Sequence, residues 1–118
     1  MPPLVLHFTP ALRAGDCIFV SGQLPFVEPS RIVEGDVVAQ LKQCMANIDN
    51  ALNDVDADLG DVVKCMVWLT QVEDFPAFNE AYAEFFPGIP PARATVCSAL
   101  MVPGALIEVE AVAHKPCD

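Results

Sequence analysis

Positive charge is what this sequence has least of. Its 118 residues hold six Lys and Arg against sixteen Asp and Glu, a formal charge of −10. The six cations, Arg13, Arg31, Lys42, Lys64, Arg93 and Lys115, are scattered along the chain. Binding a phosphate backbone takes a clustered basic patch, so the balance argues against a nucleic-acid partner. The five cysteines stand far apart with no CxxC pair, and the two histidines, His7 and His114, are remote from each other. That spacing describes neither a zinc site nor a disulfide framework; the cysteines read as small apolar residues in a reducing cytosol. No apolar run approaches the ~20 residues that span a bilayer. The opening "MPPLVLHFTPALRAGD" lacks the basic stretch and apolar core of a secretory signal. The expectation is a cytoplasmic chain with no metal and no membrane segment.

Apolar residues, by contrast, are abundant at 53%. The length fits one domain over residues 1–118, and a domain this small buries only about two-thirds of its unfolded surface. Part of the apolar surplus is therefore expected to face another copy of the chain.

Periodicity changes along the chain. "DCIFVSGQLP" alternates and is β-rich over residues 17–21, and Gly15-Asp16 before it signals a hairpin from an earlier strand over residues 4–12, weakened by Pro10. From Asp36, a plausible N-cap, Val37, Leu41, Cys44, Ile48, Leu52 and Val55 recur on one helical face. Residues 62–72, "VVKCMVWLTQV", run almost continuously apolar and read as a strand buried on both faces. A second helix follows Asp74 with Pro76 in its first turn; Phe75, Phe78, Tyr82 and Phe85 form an aromatic stripe that reads as core. "PGIPP" ends it, and two strands follow, over residues 92–98 and 106–113. The order β-β-α-β-α-β-β predicts a two-layer α+β domain, two helices on one face of a mixed sheet. Nothing in the chain is left to cover the other face.

One cation stands in an unexpected place, where Arg93 opens an apolar strand. Alternation puts Arg93, Thr95 and Cys97 on one face and Ala94 and Val96 on the other, just as Glu108 and Glu110 oppose Ile107, Val109 and Ala111. The small and aliphatic sets suit packing under helices, which would turn Arg93 and both glutamates to the uncovered face. There Arg93 either pairs with Glu108 or Glu110 as a partly buried ion pair, or clamps the carboxylate of a ligand.

Three blocks together resemble the RidA/YjgF family, the reactive-intermediate (enamine/imine) deaminases, also described as endoribonuclease L-PSP-like. They are "RAGDCIFVSGQLP", "DVVKCMVWLTQVEDFPAFNEAYAEFF" and "PPARATV…PGALIEVEAVA", covering nearly the whole chain. The resemblance implies a chorismate-mutase-like subunit, a homotrimer with sites in clefts between subunits, and cofactor-independent hydrolysis of 2-imino or 2-enamino acids to 2-keto acids. It implies that Arg93 binds the substrate carboxylate and Glu108 positions water, with Ser21, Asn79 and Thr95 lining the cleft. Each of these three also has a plainer reading: a turn hydroxyl before Gly22 for Ser21, a helix-to-loop link for Asn79, a satisfied strand face for Thr95. Where the family has a tyrosine in the N-terminal strand, this chain has Phe8, which can wall a pocket but donates no hydrogen bond. The alternatives are a trimer that binds small carboxylates without turnover, and an endoribonuclease, which the acidic balance disfavours.

Overall fold

The computed structural model describes residues 6–117. Gly15, at φ +63°, turns the chain between β1 (Ala11–Ala14) and β2 (Cys17–Gln23), which pair antiparallel with Ala14 opposite Cys17. The first strand is shorter and later than expected. Residues 6–10 form no strand, and Leu4 and Val5 lie outside the described residues. Proline lacks the N–H a ladder needs, and β1 starts directly after Pro10. A small hairpin, β3 (Phe26–Glu28) and β4 (Arg31–Ile32), has no counterpart in the sequence reading.

Helix α1 (Val37–Asn53) begins where Asp36 was expected to cap it: the Asp36 Oδ1 accepts from the Ala39 amide at 3.0 Å. Val37, Leu41, Cys44, Ile48 and Leu52 are buried on its inner face, as the four-and-three spacing predicts. Buried Gln40 on the same helix donates to the Gly104 carbonyl (3.0 Å) and accepts from the Leu106 amide (2.7 Å), pinning the loop that leads into the last strand. The remaining elements are β5 (Val62–Leu69), α2 (Phe75–Ala83), β6 (Ala92–Cys97) and β7 (Ile107–His114).

Five strands make one mixed sheet in the order β1-β2-β7-β5-β6. Among the described residues only β5 and β6 are parallel, joined across α2; the other neighbours run antiparallel. Both helices pack on the same face, over Ile18, Val20, Cys65, Val67, Leu69, Ile107, Val109, Ala111 and Ala113. The molecule measures 41 × 40 × 20 Å. A thin dimension of about 20 Å holds two layers at ~10 Å each, so the described residues leave the second sheet face bare.

That bare face corrects one expectation. β5 is covered on one side only: Val62, Cys65, Val67 and Leu69 are buried, while Met66 and Trp68 are half-buried and Val63 is exposed. Leu12 (59% exposed) and Phe19 (48%) continue the apolar open surface. Ala94 and Val96 were expected beneath the helices, yet they pair with Met66 and Trp68 on the open face. Among the described residues no helix is long and apolar enough to cross a membrane.

Candidate active site

The aromatic stripe of α2 explains where Arg93 goes. Phe75, Phe78, Asn79 and Tyr82 follow one another at i, i+3, i+4 and i+7, so they share one side of the helix. Arg93, half-buried on the edge strand β6, reaches across to that side. Its Cζ lies 4.8 Å from the Tyr82 ring centroid, 5.2 Å from Phe78 and 5.7 Å from Phe75. Its Nη2 donates to the Asn79 Oδ1 at 2.9 Å. Negative ring faces attract a guanidinium without neutralising it. Among the described residues no carboxylate pairs with Arg93; the ion pairs are Arg31–Glu28 and Lys115–Asp61, and Arg13 donates to the carbonyls of Gly15 and Lys115.

The sequence reading had turned Arg93 to the uncovered face beside Glu108 and Glu110. The register overturns this. Arg93 is paired with Cys65, which is buried beneath the helices, whereas Glu108 is paired with Trp68 and Glu110 with Met66 on the open face. An intrachain ion pair between Arg93 and either glutamate is thereby excluded. Alternation fixes which residues share a face but not which face meets the helices. Choosing the small residues for the helix side overlooked that an edge strand beside an aromatic stripe accepts a long cationic side chain. Thr95 stays with Arg93, half-buried beside Val67 on the helix side. Cys97 also follows it but is exposed, its Sγ 3.6 Å from the Thr70 carbonyl.

The second group sits on the open face. Between Val20 and Gln23 the register with β7 slips, so Ser21 and Gly22 form a bulge opposite Glu110. The Ser21 amide donates to the Pro10 carbonyl (2.9 Å) and its hydroxyl to the Thr9 carbonyl (2.6 Å), tying the incoming segment to the bulge. Phe8, exposed, immediately precedes this tie. At Gly22 the absence of a side chain matters directly, because a Cβ there would overlap the Glu108 carboxylate. Glu108 is half-buried, and that burial, followed by the nearby Glu110 charge, raises its pKa above the ordinary glutamate value. Thr9, Ser21, Glu110, Leu12, Phe19 and Val112 line a shallow open-face depression of about 360 Å³.

The expected site residues therefore fall into two sets. Arg93, Asn79 and Thr95 lie on the helix side at the β6 edge. Glu108 and Ser21, with Phe8 leading into them, belong to the opposite side. Within one chain the sets do not converge. Sequence reasoning missed the three rings as part of the site, since a stripe at helical spacing is ordinarily core; its one signal was Asn79 falling on the same side. Beneath Arg93, the Tyr82 hydroxyl is buried near the Cys65 thiol and has no hydrogen-bond partner among the described residues. Burial, then that thiol, hold the Tyr82 phenol well above its usual pKa. Among the described residues no three His, Cys, Asp or Glu side chains gather where a metal ion could be held.

Known proteins resemble this chain in sequence and in fold. A RutC family protein of Pyrococcus abyssi is 40% identical over 115 residues, 97% of this chain and 91% of its own length. The 3-aminoacrylate deaminase RutC of Acinetobacter baylyi is 39% identical over 114 residues, 96% of this chain and 90% of its own. The structure of the YjgF gene product of E. coli superposes with a TM-score of 0.84 at 32% identity, over 96% of this chain and 91% of that one. The family described as endoribonuclease L-PSP matches residues 2–115, and the chain belongs to it, the YjgF/RidA family.

Proposed function

We propose that this chain hydrolyses 2-imino and 2-enamino acids to 2-keto acids and ammonia, without a cofactor, in clefts between the copies of a cytoplasmic homotrimer. One copy supplies Arg93, Asn79 and Thr95; a neighbour supplies Glu108, Ser21 and Phe8. The observation that carries this reading is an arginine held by rings and one amide, with no carboxylate among the described residues to satisfy it. Such a guanidinium has in-plane N–H groups free for a substrate carboxylate. The two-sided division of the site supports assembly, because Arg93 and Glu108 can meet only across a subunit boundary. The 39% identity to a 3-aminoacrylate deaminase supports the chemistry, since that substrate is also an enamine bearing a carboxylate.

The reaction asks little of the protein. An enamine such as 2-aminoacrylate tautomerises to its imine by moving a proton from nitrogen to carbon. Arg93 holds the carboxylate and so fixes the imine carbon relative to water. Glu108 accepts a proton as water adds to that carbon, and the proton passes to nitrogen. The carbinolamine then collapses: its hydroxyl proton moves to nitrogen, the carbon–nitrogen bond breaks, ammonia leaves, and the water oxygen remains as the ketone. A carboxyl with a raised pKa is closer to the working pH and suits both proton steps.

The test is turnover of 2-aminoacrylate generated in situ by a dehydratase, with 3-aminoacrylate as a second substrate. The expected result is imine loss well above the spontaneous rate, abolished by Arg93→Ala. A rate equal to spontaneous hydrolysis for both substrates would sink the deaminase reading. Phe8, which offers no hydroxyl, favours a second reading in which the trimer binds keto acids through Arg93 without turnover. Ribonuclease action is disfavoured by the −10 charge and by the engagement of Arg13, Arg31 and Lys115 elsewhere.

A further inference from the structure

We infer that α2 is the device that pre-orients the carboxylate anchor: Phe75, Phe78, Tyr82 and Asn79 are positioning residues for Arg93. This rests on Arg93 being that anchor and adds how its geometry is set. A free arginine side chain samples many rotamers, and a ligand that must order it loses affinity, about two- to tenfold for one such side chain. Here the ordering is already done. Three ring centroids lie within 5.7 Å of the Arg93 Cζ, and Asn79 fixes one corner of the fork.

The choice of groups matters as much as their number. A carboxylate would orient Arg93 equally well, but it would cancel the charge and compete with the ligand for the same N–H edges. Ring faces attract the cation while leaving those edges open. Asn79 Oδ1 accepts a single N–H of the five a guanidinium carries. The parts also come from one local source. The helix crosses from β5 to the parallel strand β6, so the stripe at positions 75, 78 and 82 is carried over the strand that bears Arg93. Phe78 and Tyr82 are buried and serve the core as well, whereas Phe75 is 37% exposed and Asn79 is exposed. These last two can be changed with little disturbance to packing.

The experiment is calorimetric titration with 2-ketobutyrate of the parent, Phe75→Leu, Phe75→Tyr, Asn79→Ala and Arg93→Ala, with thermal unfolding of each. Phe75→Leu keeps apolar bulk but removes the π face. Phe75→Leu and Asn79→Ala are each expected to raise Kd about two- to tenfold with Tm essentially unmoved, and Phe75→Tyr to recover the affinity that Phe75→Leu loses. Parent-like affinity in both Phe75→Leu and Asn79→Ala, with Arg93→Ala losing binding, overturns the inference and leaves the anchor in place. Equal loss in Phe75→Leu and Phe75→Tyr also overturns it, since the ring would then not be what matters. Should Phe75→Leu fail to fold, Asn79→Ala decides alone. Parent-like binding by Arg93→Ala removes the anchor itself and the inference with it.

Discussion

Arg93 carries its charge on a planar fork that lies over aromatic rings, and a lysine can reproduce only the charge. Arg93→Lys is therefore expected to weaken 2-ketobutyrate binding by roughly 1–3 kcal/mol, as judged by calorimetry; unchanged affinity would mean that the fork is not used. Glu108 makes a different prediction, through pH. Burial, and then Glu110, raise its folded pKa, so the folded chain holds this proton more tightly than the unfolded chain. Its favourable contribution is fully present below the unfolded pKa and is lost as pH rises through the raised folded value. Glu108→Gln removes that loss, so in urea unfolding the variant should gain on the parent as pH rises from the ordinary glutamate value through the raised folded one. A difference independent of pH would contradict the raised pKa. Both residues were legible in the sequence as charges interrupting apolar strands. Their opposite orientation was not, because parity along a strand is silent about which side the helices take.

At the scale of elements, legibility followed length and pattern. The α1 face and its Asp36 cap could be read because seventeen residues repeat one period and a side-chain cap marks the start. The hairpin of β3 and β4, three residues and two, is too short for any period to show. In β5 a continuous apolar run looked buried on both faces, yet the described residues cover only one of them. The bulge in β2 was announced only as a Ser-Gly pair, although it places Gly22 against Glu108. That contact yields a prediction. A methyl group at Gly22 displaces the far end of a flexible side chain, not backbone. Gly22→Ala should therefore cost little stability while moving the Glu108 carboxylate, with kcat for 2-aminoacrylate falling on the order of a hundredfold. An unchanged kcat would show that the position of Glu108 does not govern turnover.

For the whole molecule, the apolar surplus in the composition pointed to a second copy, and the bare sheet face is where such a copy would lie. What composition alone did not reveal is that the candidate site residues are divided between the two sides of the sheet. The most direct test uses two variants, each disabled in one half of the proposed cleft. Arg93→Ala and Glu108→Gln chains are co-refolded in equal amounts and assayed for 2-aminoacrylate turnover. With random assortment, about a quarter of the clefts receive Arg93 from one chain and Glu108 from another, so about a quarter of the parent activity should return although neither variant alone is active. Mixed oligomers of verified composition that recover no activity would contradict the account, since Arg93 and Glu108 would then not complete one site across a subunit boundary.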